Sequence, residues 1–106
     1  NHDEDKKFAQ KLFFNTIRHG DEYKALIEEF TKNWELDRIA YMDVIIMMVA
    51  LGELNDFPSI PVNVTLNEYI EIAKQYSTDK SGTFVNGVLD KIVSHLKKEG
   101  TLMKAN

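Results

Sequence analysis

The sequence predicts an all-α domain, a compact helical bundle of about five helices. Apolar side chains recur at helical spacing in five segments, and no segment alternates polar and apolar residues over the length of a strand. Both prolines, Pro58 and Pro61, fall in the clearest break between these segments. The 106 residues leave room for one hydrophobic core, so we expect a single domain.

Composition excludes several classes of protein. The chain has no cysteine, which excludes disulfides and thiolate metal sites. Its longest apolar run, Val44 to Leu51, is too short to span a bilayer, and the N-terminus does not resemble a signal peptide. We therefore expect a cytoplasmic protein. A net charge of −4 with only two arginines argues against autonomous RNA binding, because phosphate contacts supply most of the affinity for nucleic acid.

The first two predicted helices meet near Gly20. Helix one runs from about Asp3 to Arg18, and Gly20 is expected to end it. Asp21 is expected to cap helix two. The buried stripe of helix two is expected to contain Tyr23, Leu26, Ile27 and Phe30.

A connection from Asn33 to Ile39, anchored by Trp34, is expected to lead into helix three. Helix three, from about Ala40 to Leu54, is apolar on every side, which is typical of a central, enclosed helix. The break from Asn55 to Pro61 follows.

Helix four has two possible starts and is expected to end near Tyr76. Pro61 could occupy its first turn, or Thr65 with Glu68 could form a capping box.

The last helix is predicted to follow a polar loop from Ser77 to Gly82. Phe84 would open this helix, and Gly100 would stop it, with a frayed tail beyond. Its wide apolar stripe comprises Phe84, Val85, Val88, Leu89, Ile92, Val93 and Leu96.

No catalytic, metal or cofactor site is expected. The histidines are predicted to be exposed and not to act as ligands, and the acidic pairs on helices are predicted to be caps or solvated faces. An aromatic ring at the start of a helix suits stacking on a single-stranded base, but the residues alone favour Phe84 pinning the helix to the core. We expect another helix to approach Gly87 closely and Asn86 to bond a buried backbone group.

Two blocks of sequence resemble the signature of the NusB family. The first is Phe84-Val85-Asn86-Gly87-Val88-Leu89-Asp90-Lys91. The second is Asn67-Glu68 followed by Ile70-Glu71-Ile72-Ala73-Lys74, at the family's spacing. The middle of the chain is similar as well, at Asn33-Trp34, Leu36-Asp37-Arg38-Ile39, Asp43, Ile46 and Leu51-Gly52-Glu53-Leu54.

The resemblance implies a transcription antitermination factor that is not an enzyme. Such a factor binds boxA RNA together with the ribosomal protein NusE, in a complex that associates with RNA polymerase. Asp43 is the expected contributor to NusE binding. The candidate RNA contacts are Lys32, Lys80, Thr83, Phe84 and Lys91.

The resemblance covers nearly the whole of residues 1–106 but starts in the middle of a NusB. We expect these residues to be the C-terminal helical subdomain, without the N-terminal subdomain and its arginine-rich helix. That implies weak RNA binding by this chain alone. It also implies a bare apolar face on helix one, around Phe13 and Phe14, through which the chain could self-associate.

Two departures affect the RNA-facing and partner-facing detail. Met47-Met48 stands where the family usually has an arginine after Ile-Leu, and Lys80 replaces an acidic residue. One alternative is the NusB-like domain fused to ribosomal RNA cytosine methyltransferases, although Gly87 and Asp90-Lys91 favour NusB proper. A purely structural interaction module is the other alternative.

Overall fold

Five helices form the protein in a computed structural model, which describes residues 1–31, 41–76 and 79–102. They are α1 (His2–Arg18), α2 (Gly20–Thr31), α3 (Tyr41–Asp56), α4 (Val62–Tyr76) and α5 (Asp79–Glu99). No strand occurs in these ranges, so the all-α prediction is confirmed. The predicted Asn33–Ile39 connection, with Trp34, lies outside the described residues.

Helix α3 is the centre of the bundle and packs against each of the other four helices. Met47, Ala50 and Leu51 on its inner faces are fully buried. The enclosure is incomplete, because Tyr41, Met42 and Ile45 at its N-terminal end are exposed. A helix that is apolar on every side therefore keeps one open side near its start, where it borders α1.

The junction between α1 and α2 differs from the prediction. His19, not Gly20, follows α1, and its N–H donates to the carbonyl of Asn15 at 3.1 Å. Gly20 is the first residue of α2 and has no positive φ. Asp21 lies inside the first turn of α2, where its charge suits the helix dipole, so the predicted cap is wrong.

The start of α4 resolves the choice left open by the sequence. The Pro61 carbonyl accepts hydrogen bonds from the N–H groups of Val64 and Thr65, at 3.1 and 3.2 Å. Thr65 is buried within the helix, one turn past its start. The Thr65–Glu68 capping box is therefore wrong, and the proline immediately precedes the helix.

Helix α5 begins earlier than predicted. Lys80, Ser81 and Gly82 belong to its first turns and not to a loop, so Phe84 lies in its second turn. Polar composition was a misleading signal, because Ser81 is buried and bonded to α3. Gly100, at φ 71°, ends the helix as predicted. Of the tail, Thr101 is held by a 3.0 Å bond from its N–H to the Leu96 carbonyl.

The core runs between α3, α4 and α5, with α2 packed on one side. Of the predicted α2 stripe, Tyr23 and Ile27 are buried, while Leu26 and Phe30 are half-buried against the core. None of the described helices is both long and apolar enough to cross a membrane.

Candidate nucleic-acid interface

The eight-residue block on α5 divides into two faces. Val85, Val88 and Leu89 are buried in the core, where α5 packs against α2, α3 and α4. The other side of the helix is exposed and carries Thr83, Asn86, Gly87, Asp90 and Lys91. Helical spacing of three and four residues joins these into one outward surface. Core packing accounts for only the inner face.

Asn86 and Gly87 do not have the roles the sequence suggested. Asn86 is exposed and does not bond a buried backbone group. A side chain added at Gly87 would meet nothing within 4 Å. The close approaches occur at Gly82, where a Cβ would meet the stem of Lys74, and at Gly52, where it would meet Thr16. Gly87 is therefore open to solvent, with the helix backbone accessible beside it.

Phe84 lies on the border between the two faces. It is half-buried and packs against the hydrophobic core, which supports the core-pinning interpretation. Its remaining surface adjoins Thr83 and Gly87 on the outward side. A half-exposed ring in this position can still present an edge or face to a base.

A buried polar contact fixes the start of α5. The Ser81 hydroxyl donates to Asp43 Oδ2 at 3.0 Å, and Asp43 is only 4% exposed. Oδ1 of Asp43 has no hydrogen-bond partner among the described residues. Asp43 is in the first turn of α3, so this contact joins the N-terminal ends of two helices. Lys80, next to Ser81, is consequently held at the exposed edge of the bundle.

Four of the five candidate RNA contacts lie together in the structure. Lys80, Thr83 and Lys91 are exposed on the outward side of α5, with Phe84 at its border. Lys32 lies outside the described residues. Reasoning from the sequence missed Asn86 and Gly87 as outward-facing positions. Their helical register relative to the apolar stripe was the available signal.

The contacts of the other titratable side chains stabilise the fold. Tyr69 donates to buried Glu53 at 3.2 Å, and burial, together with the Glu53 carboxylate, raises the pKa of Tyr69 well above 10. The pKa of Tyr23 is also raised, chiefly by burial. His19 and His95 are half-buried rather than exposed; His19 pairs with Glu22 in the first turn of α2, and His95 pairs with Glu99 on α5. No metal-ligand cluster occurs in the ranges described.

An acidic groove of about 620 Å³ lies between α2 and the C-terminal ends of α3 and α5. Its walls carry four carboxylates, those of Glu22, Glu29, Asp56 and Glu99. Clustered negative charge repels phosphate, so this groove is unsuited to nucleic acid. The outward side of α5 is the better candidate surface.

A second groove, of about 420 Å³, lies between α1 and α3 and is almost entirely apolar. Beside it, Phe13, Phe14 and Ile17 are each more than 60% exposed. The predicted bare face on α1 is thus present.

Comparison with known proteins identifies a consistent set of relatives. The model of the NusB family matches residues 1–94. The transcription antitermination protein NusB of Salinibacter ruber is 45% identical over 93% of this chain and 62% of its own length. That of Chloroherpeton thalassium is 40% identical over 94% of the chain and 47% of its own length. The chain thus spans about half to two thirds of these relatives.

Two solved structures are similar to this chain as well. A Thermotoga structure titled T. maritima NusB superposes with a TM-score of 0.78 at 36% identity, over 84% of this chain and 63% of that one. A structure titled as a plectonemic RNA supercoil contains a chain with a TM-score of 0.76 at 30% identity, over 84% of this chain and 64% of that one.

Proposed function

The chain belongs to the NusB family, and on that premise we propose that it functions in transcription antitermination. In this proposal it binds boxA-type RNA together with the ribosomal protein NusE and joins RNA polymerase complexes. The observation that carries the proposal is the family match over residues 1–94, in which both motif blocks occur. The exposed outer face of the second block supports it, because the core does not use that face.

We assign the RNA contact to the outward side of α5, from Lys80 to Lys91. Lys80 and Lys91 are exposed cations that can each neutralise a phosphate. Thr83 is exposed on the helix between them, and the exposed part of Phe84 offers a surface for base stacking. Lys32 remains a proposed contact. With so few cations, this chain alone should bind RNA weakly.

The proposed contact with NusE involves Asp43. Because its carboxylate is buried against Ser81, its contribution is to hold the starts of α3 and α5 together as one surface. Asp43→Asn keeps the shape and removes the charge. If Asp43 contributes, this variant loses NusE affinity by more than its stability loss explains. Equal losses would show that Asp43 acts only through the stability of the fold and makes no separate contribution to NusE binding.

We expect this chain to act in the cytoplasm as a regulatory binding protein and not as an enzyme. The relatives named above are antitermination proteins, and no observation favours the methyltransferase-associated alternative.

Fluorescence anisotropy with a labelled boxA RNA tests the proposal. We expect the chain to bind this RNA weakly by itself, to prefer it to a scrambled RNA of the same composition, and to bind it more tightly when NusE is added. Equal affinity for boxA and scrambled RNA, with and without NusE, would overturn the proposal.

A further inference from the structure

One line of residues runs along the whole outer side of α5. Lys80, Lys91 and Lys98 are separated by eleven and seven residues, which are close to whole numbers of helical turns. Gly87 and Ser94 fall on the same line, between the lysines. All five are exposed. We call this set the lysine line, and at 1.5 Å per residue it is roughly 27 Å long.

The lysines of the lysine line have no ion-pair partner in the described part of the chain, although Asp90 and Glu99 are the sequence neighbours of Lys91 and Lys98. None of the three lysines has a carboxylate three or four residues away, and none forms an ion pair with a described residue. Lys74 on α4 shows the usual alternative, since it pairs with Glu71 at 3.3 Å. Within the described residues, a chain with a net charge of −4 thus carries a line of lysines that no ion pair neutralises.

Gly87 leaves the helix backbone uncovered in the middle of the lysine line. An interior glycine destabilises a helix relative to alanine, and nothing in the described residues fills the space a side chain would occupy. Packing among the described residues therefore gives no reason for glycine at this position. A ligand that lies flat along α5 would find its closest access to the backbone here.

We propose that the lysine line is a track for the sugar–phosphate backbone of single-stranded RNA, extending the boxA contact beyond the motif to Lys98. The inference rests on the proposed RNA-binding function. Lysines without ion-pair partners, spread along one side of a helix, suit a strand that carries a phosphate at every nucleotide, whereas a protein partner would need carboxylates at matching positions. Lys98 lies outside both motif blocks, so the track predicts a contact that the family signature does not contain.

Salt dependence tests the phosphate contacts. Anisotropy titrations of a boxA RNA would be run at several salt concentrations with the wild type, Lys91→Gln, Lys98→Gln and the double variant. For single strands, each lost phosphate contact should reduce the salt slope by about 0.7. Lys24→Gln on α2 is the control, since Lys24 is exposed but has Glu28 four residues away. An unchanged slope in the double variant would overturn the track.

The RNA sequence separates this inference from the proposed function. Phosphate contacts carry no sequence information, so both lysine variants should weaken boxA and scrambled RNA by the same factor. If the wild type shows no boxA preference but the slopes change as expected, the track stands and the antitermination proposal fails. If boxA is preferred and Lys98→Gln changes nothing, the track fails alone.

Gly87→Ala provides a test in which stability and binding move in opposite directions. The added methyl group has space and favours the helix, so the unfolding midpoint should rise. If RNA lies against the backbone at Gly87, affinity should fall severalfold in the same variant. Gln75→Ala, at an exposed position of α4, is the control and should leave RNA affinity unchanged. A Gly87→Ala protein that is more stable and binds RNA like the wild type would refute the close approach.

Discussion

Ser81 and Asp43 lie 38 residues apart in the sequence and share a buried 3.0 Å hydrogen bond. Ser81 is in the first turns of α5, and Asp43 is in the first turn of α3. The serine hydroxyl is the donor, and the aspartate carboxylate accepts it at Oδ2. This bond ties the start of the proposed RNA-binding helix to the central helix of the bundle.

Ser81→Ala should destabilise the protein by about 1–3 kcal/mol, because it leaves a buried carboxylate without this donor. The measurement is urea unfolding followed by circular dichroism. Ser94→Ala, an exposed serine on the same helix, is the control and should stay within about 0.5 kcal/mol of the wild type. Equal stabilities for the two variants would show that the Ser81–Asp43 bond contributes nothing.

The same contact shows where sequence reasoning reached its limit. The five helices could be predicted because apolar periodicity is local information, and the core residues of α5 follow from it. The start of α5 could not, because a buried serine is recognisable only through its distant partner. In the sequence alone, Ser81 and Gly82 resemble loop residues. Only the structure shows that Asp43 lies beside Ser81 and Lys74 beside Gly82.

The candidate site was likewise only partly predictable. The lysines and Phe84 follow from the motif and its helical position. The roles of Gly52, Gly82 and Gly87 depend on which helices approach which, and a single sequence does not contain that information. Close approach was therefore expected at Gly87, whereas the structure has it at the other two glycines.

The buried tyrosine on α4 predicts alkaline sensitivity. Since burial raises the pKa of Tyr69 above its ordinary value of 10, the folded chain keeps a proton that the unfolded chain releases above that pH. Stability is therefore fully present below about pH 10 and falls as the pH rises further, by about 1.4 kcal/mol per pH unit for one such group. In the Tyr69→Phe variant, the unfolding free energy should fall less steeply with pH by this amount. The contribution of Tyr23, whose pKa is also raised, should remain.

The readout for Tyr69→Phe is the slope of unfolding free energy against pH between 9 and 11. The variant also lacks the hydrogen bond to Glu53, so its stability at neutral pH should fall by about 1–3 kcal/mol. Tyr76→Phe, 70% exposed at the end of α4, is the matched control. Wild-type and Tyr69→Phe curves that run parallel above pH 10 would contradict the prediction.

Gly52→Ala should destabilise the contact between α1 and α3. A methyl group there would collide with the Thr16 hydroxyl, which is already bonded to the Leu12 carbonyl at 2.7 Å. Overpacking of this kind typically costs about 1–3 kcal/mol. Gly87→Ala is the contrasting substitution, because the same methyl group meets open space. Chemical unfolding should give a lower free energy of unfolding for Gly52→Ala than for the wild type, and a higher one for Gly87→Ala. A stabilised Gly52→Ala protein would show that α1 can move away without cost.

The apolar face of α1 predicts self-association. Leu12 is buried and Phe8 stacks on Phe57 with ring centroids 4.5 Å apart, but Phe13 and Phe14 remain more than 60% exposed. The apolar groove between α1 and α3 lies beside them, so one surface offers both protruding rings and a recess. In a two-fold dimer the rings of each copy would meet the recess of the other, and contiguous apolar patches of this kind are uncommon on monomers.

Light scattering and sedimentation should therefore detect dimers of this chain whose fraction rises with concentration. Phe13→Ser combined with Phe14→Ser should abolish them with little loss of stability, because both rings are largely solvated in the monomer. Tyr76→Ser, which removes another exposed aromatic ring on α4, is the control and should leave association unchanged. A wild-type chain that stays monomeric at millimolar concentration would show that the exposed rings and groove do not bind a second copy.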